Sequence, residues 1–307
     1  MQHLLGEGEN GAIAPMLYFA QSMLKLVALG AVSAALIIAQ TSDIRGVWKA
    51  DLEKSKLAGP PGSTPTNYLA IIEHKTALFD AHTKEQAPQF VETTGIWGQH
   101  GEERTVLTVF LNGKAKVLPY MGVPTRLIAS SEGNVFTVSG ETAGRPNTFK
   151  RTYELSSDGQ TLTLHSVANN NGKQAESTIV LLKQPDEAAA PLRAPEETAG
   201  KRFKNVKTPM KDLPASEFIE SMRYFAWSLG KNCEFCHVRF KMDLDDKKEK
   251  QTARKMIEMV ASIDAEHFKN HPAVRCFTCH EGHEHPLTHP LFPDEAAAAK
   301  TVQTAQH

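Results

Sequence analysis

Apolar residues repeat with two different periods along this chain. From about residue 44 to 183, short runs rich in Val, Thr, Leu, Phe and Tyr alternate with polar positions, the period of strands with one buried face. Turn residues punctuate the runs. Asn112-Gly113 separates Thr105–Leu111 from Ala115–Tyr120 and predicts a hairpin. Ser131–Asn134 separates Thr125–Ala129 from Val135–Ser139. Asp158-Gly159 separates Thr148–Leu155 from Thr161–Ser166, and Asn171-Gly172 separates that strand from Ser177–Lys183. Many short antiparallel strands at this spacing predict a barrel or sandwich.

Residues 184–200 break the pattern. They are rich in Pro, Ala and Glu, lack apolar periodicity and read as a linker that contributes little core. The period then becomes helical. In Pro214–Leu229 the apolar positions Phe218, Met222, Phe225, Ala226 and Leu229 share a face, with Pro214 suited to the start and Gly230 to the end. A second helix is expected from Lys248 to Phe268, with Met256, Met259, Val260 and Ile263 on one stripe, ended by Asn270-His271-Pro272. The expected architecture is therefore multidomain α and β. An export signal occupies residues 1–40 and an antiparallel β-barrel or sandwich 41–183. The linker of 184–200 leads to a small α-helical domain at 201–286, and a flexible tail fills 287–307. The β and helical parts are expected to fold as separate units.

At the N-terminus, Lys25 precedes an apolar stretch of 14 residues, Leu26–Ala39. That length suits a signal-peptide core and is short for a membrane span. Cleavage is expected just after Ala39. Glu7 and Glu9 do not suit a basic leader, which points to Met16 or Met23 as the true start. The alternative is an uncleaved anchor that ties the chain to a membrane. In the β region, Gly46-Val47-Trp48 resembles the Gly-x-Trp opening of lipocalin-type barrels; a plain core Trp is the competing reading.

Composition narrows the chemistry. Across 307 residues, 34 basic and 35 acidic side chains nearly cancel, which gives no support for nucleic-acid binding. There are four cysteines, and they form two pairs of one shape: Cys233-Glu234-Phe235-Cys236-His237 and Cys276-Phe277-Thr278-Cys279-His280. In Cys-x-x-Cys-His each thiol adds to a haem vinyl group, and the adjacent histidine supplies the proximal iron ligand. The motifs predict two covalently bound c-type haems, with His237 and His280 on the irons. The other ring nitrogen of each histidine is expected to donate to a backbone carbonyl, which fixes the tautomer.

Two alternatives use the same residues. A four-cysteine zinc site would pair the motifs, but 39 residues separate Cys236 from Cys276, more than the roughly 15–20 of the common zinc pattern. Thirteen histidines in the chain also make a chance His after both pairs rare. A thioredoxin-like pair lacks its βαβ surroundings.

For the sixth ligands, Met222 lies 11 residues before Cys233, and Met256 lies 20 residues before Cys276, both on preceding helices. Core filling explains a Met on an apolar stripe equally well, and Met259 competes with Met256. His283, His285 and His289 read as solvated tail residues, with a surface metal or a haem of a neighbouring molecule as the alternatives. Arg254 and Lys255 read as propionate partners or as plain surface charges.

From Phe203 to Pro286 the chain resembles the repeating unit of the photosynthetic reaction-centre cytochrome c subunit. The matching residues are Asn205-Val206, Ser216-Glu217-Phe218, Met222, the first motif with Val238, Ala253 to Met259, and the second motif. The resemblance implies a helix, a turn and a motif around each haem, with Met222 and Met256 as the sixth ligands. That family's subunit carries four haems where this chain has two motifs, and its frequent Arg-Gly after the second motif is Glu281-Gly282 here. The expected function is extracytoplasmic, periplasmic electron transfer between redox partner proteins rather than enzymatic catalysis. A peroxidase-like di-haem enzyme with one open iron is the alternative. So is a protein whose β-domain binds an apolar ligand or a partner, with the haems as its electron-transfer module.

Overall fold

The computed structural model describes residues 43–59, 64–99 and 101–290. The expected signal segment, residues 1–40, and residues 291–307 of the expected tail lie outside the described residues. Those described belong to one compact unit, Ile38–His307.

Ten antiparallel strands form one up-and-down sheet. They are β1 (Gly46–Ala50), β2 (Asn67–Leu78), β3 (Gln86–Gly98), β4 (Gly101–Phe110), β5 (Lys116–Tyr120), β6 (Val123–Glu132), β7 (Val135–Thr142), β8 (Thr148–Leu155), β9 (Thr161–Asn170) and β10 (Lys173–Gln184). Their spatial order is β4-β3-β2-β1-β10-β9-β8-β7-β6-β5. The first strand thus pairs with the last, Val47 opposite Gln184 and Ala50 opposite Leu181. The sheet is a nearly closed barrel with one seam, between β4 and β5.

The turns at Ser131–Asn134, Asp158-Gly159 and Asn171-Gly172 join paired strands as expected. The hairpin at Asn112-Gly113 does not form. Gly113 takes φ +70 and reverses the chain, but β4 pairs only with β3 and β5 only with β6. Turn chemistry sets the reversal; it does not oblige the flanking strands to bond.

Alternation fills the interior. Trp48, Phe90, Leu107, Leu127, Tyr153, Leu162, Leu164 and Leu181 point inward with at most 1% exposure. A polar contact crosses this core. Glu92, fully buried, accepts from Arg151 at 2.5 Å and from the Tyr153 hydroxyl at 2.9 Å, while Arg151 also donates to the Tyr120 hydroxyl at 3.0 Å. The opposite parity of β1 and β2 puts Val47, Leu69 and Ile71 on the outer face, which needs a cover.

The 184–200 segment supplies that cover. It folds as a 3-10 turn, Asp186–Ala189, then α1 (Ala190–Arg193), with α2 (Ala199–Arg202) following. Ala189 and Leu192 are buried against Val47, Leu69 and Ile71. Burying Leu192 contributes about 2 kcal/mol. The stretch expected to add little core is a strap on the barrel. Two isolated apolar side chains suffice for that, and two give no period to detect.

Four helices follow: α3 (Ala215–Ser228), α4 (Cys233–Cys236), α5 (Lys248–Phe268) and α6 (Cys276–His280). Helix α5 has the expected ends, and α3 begins after Pro214 as expected. Gly230, at φ +63, ends α3 in a Schellman motif: Gly230 N–H donates to Trp227 O at 3.1 Å and Lys231 N–H to Ala226 O at 2.8 Å.

Helix α3 lies against the barrel at its seam. Gly122, in the β5–β6 turn at φ +83, sits so close that a Cβ there would overlap the Glu220 carbonyl. Arg145 donates to Ala226 O at 3.1 Å and Lys231 O at 3.2 Å, which satisfies carbonyls at the end of α3. Trp227 Nε1 donates to Ala143 O at 2.7 Å, and Arg223 pairs with Glu103 at 2.9 Å.

Candidate cofactor sites

Each cysteine motif forms one short helical turn. At the first, α4 closes with His237 N–H donating to Cys233 O at 3.0 Å. The loop beyond returns to the histidine, and His237 Nδ1 lies 2.9 Å from Met242 O. Nε2 is then the nitrogen left for a metal. Burial pushes the imidazole below its ordinary pKa. The bond to Met242 opposes that shift, and the cations Lys250, Arg254 and Lys247 add to it. Burial and the cations both favour the neutral ring, the form that binds a metal.

The loop carrying Met242 is held by a knot of charge. Asp245 accepts from Lys207 at 2.8 Å and pairs with Lys250 at 3.2 Å and Arg254 at 2.9 Å. Hydrogen bonds from Arg254 and Lys207 drive its carboxyl far below the usual range. Asn205, at φ +64, donates to Asp245 at 2.9 Å and to the Asp243 carbonyl. Arg254, read from sequence as a propionate partner or a plain surface charge, is engaged here and also donates to Asn205 O at 3.2 Å.

At the second motif, α6 repeats the pattern. His280 Nδ1 lies 3.0 Å from His283 O, so His283 serves the motif through its backbone. Asp264 presents this turn by accepting from the N–H groups of Ala273 and Val274 at 3.1 and 3.0 Å. Phe277 stacks on Trp227, with centroids 4.5 Å apart and planes at 21°, and Gly282 N–H donates to Ser228 O at 2.9 Å. The second motif therefore rests on the helix that is itself pinned to the barrel.

A cleft of about 910 Å³ opens between the barrel, α3, α5 and α6. Val106 and Pro119 of the barrel, Tyr224 and Phe225 of α3, Ile257 and Val260 of α5, and Cys276 line it. Met256 precedes Ile257 and lies one turn before Val260. Met222 is half-buried on α3, while Met256 and Met259 are 38% and 45% exposed.

The residues fit a haem at each motif. The thiols are reachable, with Cys233 and Cys279 exposed; burial raises the Cys236 and Cys276 thiols. Helix α5 supplies a second test. In its 21 residues, all described, the buried one is Lys250, and the apolar stripe of Met256, Met259, Val260 and Ile263 has no protein cover that buries it. A flat apolar group attached at the cysteines would supply the cover. Among the described residues no three His, Cys, Asp or Glu side chains converge on a common point, so the two cysteine pairs do not meet in one four-cysteine site.

The sequence alone missed Asp245 and Lys250. Spacing marks neither: Lys250 shares its face of α5 with Arg254, four residues on, a pair that reads as an ordinary basic surface stripe.

The family pattern "Photosynthetic reaction centre cytochrome C subunit" matches residues 151–306. The chain belongs to the photosynthetic reaction-centre cytochrome c subunit family. The family match begins inside β8, well before the resemblance seen from Phe203 onward. Membership implies a cytochrome with covalently bound haem c and an electron-transfer role. The photosynthetic reaction center cytochrome c subunit of Thermochromatium tepidum is 30% identical over 123 residues, which are 38% of this chain and 30% of that protein. The match thus spans under a third of that relative's length. Among solved structures, zebrafish ileal bile acid-binding protein with cholic acid aligns at TM-score 0.31 and 17% identity, covering 46% of this chain and 98% of its own. Secretory abundant heat soluble protein 4 from Ramazzottius varieornatus aligns at TM-score 0.29 and 14% identity, covering 47% of this chain and 96% of its own. No helix among the described residues is long and apolar enough to cross a membrane.

Proposed function

We propose that this reaction-centre-type cytochrome is an extracytoplasmic di-haem carrier that passes single electrons between redox partner proteins. The supporting observation is the duplicated motif geometry. Two Cys-x-x-Cys-His turns each place Nδ1 of the histidine on a main-chain carbonyl and leave Nε2 open. Cys233 and Cys236 would hold the first haem and His237 its iron; Cys276 and Cys279 would hold the second and His280 its iron. Met222 and Met256 would complete the two iron shells. When bound, the haems supply reversible one-electron chemistry, and thioether ligation favours the ferrous state relative to two histidines. The chain's own residues fix the imidazole tautomers, and the apolar stripe of α5 would lie against a porphyrin face.

In this reading the barrel is a lipocalin-like mount. The Gly46-Val47-Trp48 opening of β1 and the up-and-down strand order support that assignment. The barrel interior is occupied by its own side chains, which favours a mount over a carrier of apolar ligands. Its seam holds α3, and α3 holds the second motif.

The test is mass and spectrum. Protein made with a working haem-attachment system should carry two haem masses that survive acid-acetone extraction. Its oxidised spectrum should show a methionine–iron charge-transfer band, weakened by Met222→Leu and by Met256→Leu. A bare-chain mass, or a band lost with Met259→Leu and kept in Met256→Leu, overturns the haem count or the choice of sulfur respectively.

A further inference from the structure

Both motif histidines place Nδ1 on a main-chain carbonyl, but the two carbonyls have different neighbours. Met242 O, 2.9 Å from His237 Nδ1, is also 2.9 Å from Lys250 Nζ. Lys250 further donates to Leu244 O at 2.7 Å and pairs with Asp245 at 3.2 Å. Its three N–H donors therefore have three acceptors, the set an ammonium requires. It is the buried residue of α5. Lys207 and Arg254 share the same Asp245, so three cations meet one carboxylate and the knot keeps a net positive charge. At the second motif, His280 Nδ1 lies on His283 O at 3.0 Å, and the neighbouring Lys231 pairs with Glu284 at 3.0 Å, so a carboxylate faces that cation.

A proximal imidazole that donates from Nδ1 becomes a richer donor to its iron and stabilises the ferric state. An ammonium on the same carbonyl withdraws electron density from that oxygen and weakens the effect. Its charge also opposes the additional positive charge of ferric iron, in a part-buried place where solvent and salt screen little. Both influences act in one direction.

We propose that Lys250 is a positioning residue that acts through Met242 O and His237 to set the reduction potential of the first haem above that of the second. The pair is then directional, and an electron entering at the Cys276–His280 end comes to rest at the Cys233–His237 end. This deepens the di-haem reading and rests on it.

The experiment is a potentiometric titration of the full-length holoprotein. Lys250→Met, which keeps the buried stem, should lower the upper potential by about tenfold in the reduction equilibrium, 59 mV for a one-electron couple, and leave the lower one in place. Lys250→Arg keeps the charge and should keep the upper potential. Lys248→Met, two residues away and exposed, should move neither. The full chain with Cys276→Ala and Cys279→Ala retains only the first haem and should titrate at the upper value. The proposal is overturned if Lys250→Met leaves the upper potential unchanged or moves the lower one instead. It is equally overturned if Lys250→Arg lowers the upper potential as much as Lys250→Met does, the mark of a packing role, or if the single-haem chain titrates at the lower value. A wild-type mass showing fewer than two haems sinks the di-haem reading itself, a result distinct from any of these.

Discussion

The barrel and the helical end solve the same problem with different material. The barrel buries its apolar residues against one another: Trp48, Phe90, Leu127 and Tyr153 are closed off by neighbouring strands, and even the buried Glu92 has Arg151 and Tyr153 as partners. Helix α5 has more residues than any strand, yet leaves its methionine stripe uncovered and buries a lysine instead. The first region covers its apolar core with its own strands. The second is shaped around something the twenty amino acids do not provide. Sequence that looks under-packed can therefore mark a cofactor as firmly as a ligand motif does.

The sharpest way to break this comparison is to deny the chain its haem. With all four cysteines changed to alanine, the barrel should keep its β-type far-ultraviolet spectrum. Residues beyond about 230 should lose most of their helical signal and be trimmed by protease. A variant whose α5 stays protected from hydrogen exchange would show that the helix needs no cover. A smaller effect should come from the joint between the regions. Gly122→Ala puts a Cβ into the Glu220 carbonyl at a positive φ and should cost about 2–4 kcal/mol. Urea unfolding should then separate into two transitions, barrel and helical end; an unchanged single transition would mean that α3 does not depend on this seat.

The smallest effect concerns Glu220, whose carboxyl is raised above its usual value, chiefly by burial, against the opposing pull of Arg223. An acid whose folded pKa is raised binds its proton more tightly in the folded state. Its contribution to stability is therefore lost as pH rises from the ordinary carboxylate value through the raised one. Glu220→Gln should gain under about 1 kcal/mol at neutral pH and flatten the decline over that window in thermal melts. A decline of equal slope in the variant would assign it to another group.

Much of this was legible beforehand. Alternation and turn residues gave β6 to β10, because each strand of that run pairs with the next and local pattern suffices. Lys248–Phe268 was legible end to end, since a long amphipathic helix carries its own signal. The Asn112-Gly113 turn misled because pairing is not local: β4 and β5 border a seam whose occupant, α3, begins about a hundred residues later. The strap at 186–193 was invisible because Ala189 and Leu192 answer to Val47, Leu69 and Ile71, distant in sequence. The cysteine motifs were readable because haem attachment demands fixed spacing. Asp245 and Lys250 were not, since a charge knot obeys geometry rather than spacing.

The pairing of β1 with β10 also sets a timetable. The barrel cannot close until residue 184 has been made, and all ten of its strands precede the first cysteine. A chain that folds from its N-terminus thus completes its sheet with one flank open and then produces the helix that fills it. Cys233 follows only five residues after Ser228, where that helix ends. The attachment apparatus would then meet its first thiol pair on a short tether at an already rigid surface, and its second only after α5 has been made. Haems would be added in chain order, each onto a platform finished just before it is needed.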